Sequence, residues 1–181
     1  MLGRLGRISG PRRNIELKAR DSDPVRSLAV CASLGAEGRG RLLQRDTYFV
    51  VPSGRLKLRE ESDAVPHLIS YLRPDESGQR ESRYRIVEVE QGEELIEALG
   101  SNLGVKVVVE KERRLFLWQG VRIHLDRVTA LGNFIEFEAV AAAGSDLSRE
   151  REKVETLRGK FELTDADLVA GSYCDLVLAS R

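Results

Sequence analysis

Charged residues recur at even spacings, so that they share one strand face, in five segments of this chain. Glu16, Lys18 and Arg20 form one row, and Arg55, Lys57 and Arg59 a second. Lys111 and Arg113 form a third, Arg122 and Asp126 a fourth, and Glu136 and Glu138 a fifth. Period-two spacing puts each row on one face of a strand and the intervening aliphatic residues on the other. Two chemistries meet in this set. Lys and Arg side chains hold phosphate oxygens, whereas carboxylates hold hard divalent ions such as Mg²⁺ or Mn²⁺. A polyanion accompanied by a divalent metal would use both. For any one strand alone, the plainer reading is a solvated face backed by a core.

The elements that would carry these rows follow from local signals. Residues 14–20 (Asn14-Ile15-Glu16-Leu17-Lys18-Ala19-Arg20) alternate as a strand. Asp23 and Pro24 then suit an N-cap and first helical position, Leu28, Ala29 and Ala32 an apolar face, and Gly35 a stop. Residues 37–40 read as a glycine-broken loop. Strands are expected over 45–51, 55–60, 67–73 and 82–90, with a polar loop at 75–81. A short helix over 93–99 closes at Gly100. Strands Val105–Trp118, Val121–Val128 and 134–140 follow, then helices over about 147–157 and 172–178. The sum is one α+β domain with a mainly antiparallel sheet of about eight strands. The helices need an apolar surface on which to dock, and the apolar sheet face offers one. If the sheet curls beneath them, the charged rows line an interior, and eight antiparallel strands can close around a small ligand space.

Composition narrows the partners. Lys plus Arg and Asp plus Glu each number 29, so the formal net charge is zero. That balance argues against general attraction to nucleic acid or membrane. At 6% aromatic content the chain also lacks a stacking stripe for single strands. No run approaches the roughly 20 apolar residues of a membrane-spanning helix. Cys31 and Cys174 have no metal-ligand spacing and form no disulfide framework, which fits reduced thiols in the cytoplasm. Residues 1–12 are expected as a flexible N-terminal segment and 13–181 as a single domain.

The motifs together resemble the CYTH superfamily, the triphosphate tunnel metalloenzymes. Asn14-Ile15-Glu16-Leu17-Lys18 is similar to that family's Glu-x-Glu-x-Lys signature, with Asn in the first acidic position. The likeness continues through Asp46-Thr47-Tyr48-Phe49, Leu56-Lys57-Leu58-Arg59-Glu60 and Leu72-Arg73-Pro74. Glu110-Lys111-Glu112-Arg113-Arg114 and Val121-Arg122-Ile123-His124-Leu125-Asp126-Arg127-Val128 carry it most strongly. Leu131-Gly132-Asn133-Phe134-Ile135-Glu136-Phe137-Glu138 and Gly171-Ser172-Tyr173-Cys174-Asp175-Leu176 complete the order and lean to the bacterial cyclase-type branch.

The resemblance implies a closed or nearly closed eight-stranded antiparallel β-barrel with helices packed outside. It implies a triphosphate substrate (nucleoside, thiamine or inorganic) and Mg²⁺ or Mn²⁺. Glu16, Asp126, Glu136 and Glu138 would hold the metal. Lys18, Lys57, Arg59, Arg73, Arg83, Lys111 and Arg113 would contact the phosphates. Glu16, Lys18, Asp126 and Glu136 would form the catalytic set. The activity would be that of a class IV adenylyl cyclase or of a triphosphatase. A binding module that captures a triphosphate without turnover is the alternative, since Asn14 brings an amide oxygen but no charge. His124, on the polar face near Asp126, is open to a proton-relay or a structural role. A homodimer is left open.

Overall fold

The computed structural model describes residues 12–62 and 64–181. The expected flexible segment therefore lies outside the described residues except for Arg12, which begins the first strand. Eight strands, β1 (Arg12–Arg20), β2 (Glu37–Phe49), β3 (Arg55–Glu61), β4 (His67–Leu72), β5 (Arg80–Glu88), β6 (Val105–Trp118), β7 (Val121–Val128) and β8 (Gly132–Val140), close into a barrel in the order β1-β5-β4-β3-β2-β6-β7-β8. Every pairing is antiparallel. Among the described residues four α-helices accompany them: α1 (Pro24–Ser33), α2 (Gly92–Leu103), α3 (Ser148–Lys160) and α4 (Tyr173–Ala179), with a short 3-10 helix at Asp165–Asp167. No helix among the described residues is long and apolar enough to cross a membrane.

The outward residues of β1, β7 and β8 make the main apolar core. Ile15, Leu17, Ile123, Ile135 and Phe137 pack there with Val154, Leu157 and Phe161 of the α3 region and Cys31 of α1. Phe137 and Phe161 meet edge to face at 5.1 Å. Burying each large side chain contributes about 1.5–3 kcal/mol. A one-residue slip of β1 would turn Ile15 and Leu17 inward and Glu16 and Lys18 into that core, so the register is strongly specified. This packing directs the charged row of each strand into the barrel.

α1 starts as its sequence suggests. Asp23 accepts from the backbone N–H of Arg26 at 3.0 Å, Pro24 takes the first turn, and Gly35 follows the end at φ +62°. α4 lies across one end of the barrel, with Tyr173 and Cys174 against Tyr48, Val107, Val109, Val128 and Phe134.

Three local expectations are corrected. Residues 37–40 are strand, because β6 extends far enough to pair Glu37 with Leu117 and Gly38 with Phe116, and a register shift between Gly38 and Arg41 absorbs the irregularity. α2 runs through Gly100 to Gly104: a side chain at Gly100 would come within 3.3 Å of Val105, so this glycine serves close packing rather than a stop. β5 starts at Arg80 rather than Ser82.

Candidate active site

The barrel encloses a cavity of 330 Å³, at the small end of the range for ligand pockets. Its wall includes Glu16, Lys18, Lys57, Arg59, Arg73, Lys111, Arg113, Glu136 and Glu138, which the sequence had singled out. Two other singled-out residues are placed elsewhere. Arg83 is on the outer face of β5, its side chain 67% exposed and paired with Glu81. Asp126 is inside but behind the wall. It accepts from Arg113 Nε at 2.7 Å and Nη2 at 2.6 Å, and from the Tyr173 hydroxyl at 2.8 Å. Its geometry is that of a carboxylate that orients Arg113. Arg83→Ala is accordingly expected to leave triphosphate affinity within twofold of the parent and stability within about 0.5 kcal/mol, measured by titration calorimetry and melting.

The wall divides into three groups. In the first, Asp46 gathers three cations: it accepts from Lys57 Nζ at 2.8 Å, Arg59 Nε at 2.7 Å and Lys111 Nζ at 3.0 Å. β2 supplies Asp46, β3 supplies Lys57 and Arg59, and β6 supplies Lys111, all inward by alternation. Burial opposes ionisation of Asp46, but Arg59, Lys111 and Lys57 outweigh it and hold the carboxyl well below its ordinary value. Burial pushes Lys57 down to about 7, with Arg59 adding to the effect and Asp46 opposing it. Burial likewise lowers Lys111 to about 8 against the pull of Asp46.

Those two lysines make a pH prediction. Their folded values lie below the ordinary 10.5, so the unfolded chain binds more protons above pH 7. Their unfavourable contribution to stability is therefore full below about pH 7 and is relieved as pH rises toward 10.5. A bound polyanion raises both values. Binding of a triphosphate at pH 8.5 should take up between one and two protons, and almost none at pH 6. Calorimetry in two buffers of different ionisation enthalpy measures this directly.

In the second group, Glu16 is held by Arg73 Nη1 and by Arg80 Nε at 3.1 Å. Arg73 Nε and Nη2 and Arg80 Nη2 are buried donors without a hydrogen-bond partner among the described residues. Lys18 stands beside them, 3% exposed, its ammonium 3.8 Å over the Tyr173 ring and in no hydrogen bond among the described residues. Burial lowers its pKa, with Glu136 opposing. Arg80 escaped the sequence reading because the preceding polar loop was expected to run through it. Continuing the alternation of Ser82 and Tyr84 backward by one step would have found it.

The third group is acidic. Glu136 accepts from Arg113 Nη2 at 3.1 Å, and Glu138 from Asn14 Nδ2 at 2.7 Å and Arg122 Nη1 at 3.1 Å. Burial opposes ionisation of Glu136, but Lys18, His124 and Arg113 keep it well below the ordinary value. His124 faces both glutamates, and burial together with Arg113 lowers its pKa. No three His, Cys, Asp or Glu side chains among the described residues already converge as a metal site. Nevertheless Asn14 Oδ1 and His124 Nδ1 are buried without partners beside Glu136 and Glu138. Unsatisfied polar atoms next to paired carboxylates fit a divalent ion that also takes ligands from a substrate.

A closed antiparallel barrel with a lumen of interlocked cations and carboxylates defines a tunnel protein with a charged interior. The chain belongs to the CYTH domain family, whose model matches residues 12–173. Curated protein sequences contain no match to it. Among solved structures it is similar to the PH1012 protein of Pyrococcus horikoshii OT3, at 24% identity and TM-score 0.78, over 90% of this chain and 98% of that one. It is similar to a candidate adenylate cyclase from Vibrio parahaemolyticus, at 20% identity and TM-score 0.76, over 91% and 97% of the two chains. It is also similar to HpAC1 from Hippeastrum, a candidate adenylyl cyclase described as having a dominant triphosphatase activity, at 15% identity and TM-score 0.63, over 92% and 95%. At these identities the likeness speaks for the fold.

Proposed function

We propose that this protein is a divalent-metal-dependent enzyme acting on a triphosphate held inside the barrel. The observation that carries the reading is the set of buried cationic donors without acceptors: Arg73 Nε and Nη2, with Lys18 beside them. Arg73 is ion-paired to Glu16 through Nη1, and its Nη2 is 3.8 Å from Asp75, but N–H donors left buried without a hydrogen-bond acceptor are costly, and a chain of phosphate oxygens would satisfy them. Lys57, Arg59 and Lys111 add positive charge from the opposite strands. Glu16, Glu136 and Glu138, with the neutral Asn14 and His124, are the groups that would hold Mg²⁺ or Mn²⁺. When bound, that ion would offset phosphate charge and polarise the phosphorus under attack. Arg73 and Lys18 would neutralise charge that develops on the phosphate oxygens as the P–O bond breaks. Asp126 and Tyr173 would keep Arg113 aligned on the wall.

The same clamp serves two reactions. In the class IV cyclase type, the ribose 3′-hydroxyl of ATP attacks the α-phosphorus and pyrophosphate leaves. In the phosphohydrolase type, water attacks the terminal phosphorus and orthophosphate leaves. The neighbours described as candidate cyclases, one with dominant triphosphatase activity, support both types. A cytoplasmic setting suits the two free buried thiols, Cys31 and Cys174. The test is product analysis with ATP, thiamine triphosphate and inorganic triphosphate in the presence of Mg²⁺ or Mn²⁺. Cyclic AMP with pyrophosphate, or orthophosphate, is expected. Triphosphate binding with no product from any of the three would replace the enzyme with a binding module.

A further inference from the structure

His124 stands between two carboxylates and hydrogen-bonds to neither. Its Nδ1 is 3.8 Å from Glu136 Oε2, and its Nε2 is 4.0 Å from Glu138 Oε2. The residue is 4% exposed, and Nδ1 is buried without a partner among the described residues. A neutral imidazole carries one N–H, so one nitrogen turns a bare lone pair toward a carboxylate. Two lone pairs facing each other out of reach of water are unfavourable unless a cation lies between them. Metal–nitrogen and metal–oxygen bonds of about 2.0–2.2 Å let two ligand atoms lie up to ~4.2 Å apart across an ion. The separation of Nδ1 from Glu136 falls within that span. Arg113 Nη2, 3.1 Å from the same glutamate oxygen, occupies one side of it and leaves other lone pairs of the carboxylate available.

The surroundings favour this over a purely structural histidine. A histidine kept for packing normally gives its N–H to a carbonyl or carboxylate at hydrogen-bond distance, and His124 has no such partner among the described residues. The neighbouring Asn14 repeats the pattern: Nδ2 donates to Glu138 Oε1 at 2.7 Å while Oδ1 is buried without a partner. Both neutral side chains thus present a buried polar atom without a partner on the acidic wall.

We infer that His124, through Nδ1, is a nitrogen ligand of the divalent-ion site, with Glu136 as its carboxylate partner. The inference rests on the metal-dependent reading above and goes beyond it, since it makes the site a mixed nitrogen–oxygen one. Imidazole suits ions such as Mn²⁺ and Co²⁺ better than Mg²⁺, which prefers oxygen alone. The site therefore binds Mn²⁺ more tightly than Mg²⁺ for a reason built into this chain.

The experiment is pulsed electron paramagnetic resonance of Mn²⁺ added to the full-length protein, alone and with inorganic triphosphate. Coupling to one imidazole nitrogen is expected in the wild type and its loss in His124→Gln. Mn²⁺ affinity should fall in that variant by at least about tenfold, with Mg²⁺ affinity falling less. Bound Mn²⁺ without nitrogen coupling in the wild type overturns the inference, as does the absence of any Mn²⁺ binding in both conditions. If the variant does not fold, the wild-type spectrum alone decides. Triphosphate binding by the wild type with Mg²⁺ is measured in parallel. Its presence without nitrogen coupling to Mn²⁺ sinks only the histidine ligand, whereas its absence sinks the functional reading itself.

Discussion

Lys18→Met is expected to weaken triphosphate binding by about 10- to 100-fold while raising the melting temperature by a few degrees. The two effects have one cause. Lys18 is buried, is in no hydrogen bond among the described residues, and has its pKa lowered mainly by burial. Holding it charged at neutral pH costs folding free energy, and Met fills similar space without that cost. Removing such strain at a functional site typically stabilises by ~0.5–2 kcal/mol, or roughly 2–4 °C per kcal/mol in a chain of this size. The affinity loss reflects a charge-assisted hydrogen bond of about 1.5–3 kcal/mol. Titration calorimetry and thermal melting on the same sample check both. A large fall in melting temperature with unchanged affinity would make Lys18 a structural counter-ion to Glu136.

Asp46→Ala should do the opposite to stability. Three cations, Lys57, Arg59 and Lys111, share this carboxylate. Breaking a buried ion pair from one side costs about 3–5 kcal/mol, so a fall of roughly 10 °C in melting temperature is expected. Asp46→Asn keeps the size and an acceptor oxygen and should lose nearly as much, which isolates the charge. Because the folded carboxyl lies well below 3.8, its stabilisation is present above that value and is lost as pH falls further. At the other end, Lys57 loses its proton near pH 7. The difference between parent and variant should therefore be widest between about pH 4 and 7. Added inorganic triphosphate should restore more stability to Asp46→Ala than to the parent, because its oxygens reach the released cations. Equal shifts would place the triphosphate away from this group.

The strands whose polar and apolar rows separate cleanly were legible in the sequence. β6 and β7 have their expected ends at Val105–Trp118 and Val121–Val128, bounded by the Gln119-Gly120 turn. The inward direction of Glu16, Lys18, Lys111 and Arg113 followed once the helices needed the apolar face. β5 was harder. Arg80-Glu81-Ser82-Arg83-Tyr84-Arg85 has no one-sided pattern, so its inward face (Arg80, Ser82, Tyr84) is decided by pairing with β1. That is why Arg83 was read as facing the lumen and Arg80 was not, whereas the barrel exposes the first and buries the second. Asp46 was visible as a strand residue at the head of the Asp46-Thr47-Tyr48-Phe49 motif, with no role attached to it. Its role depends on Lys57, Arg59 and Lys111, which lie 11, 13 and 65 positions away and meet it only when the barrel closes. Asp126 shows the converse, since its sequence position matched a metal carboxylate but tertiary packing gives both its oxygens to Arg113 and Tyr173.

The central claim is that the lumen binds a triphosphate through its buried cations. Titration calorimetry of inorganic triphosphate and of ATP into the parent protein and Lys18→Met, at pH 7 with Mg²⁺ or Mn²⁺, tests it most directly. The structure predicts one saturable site per chain in the parent, strongly weakened in the variant. No saturable binding of either compound, or equal binding by both proteins, would contradict it.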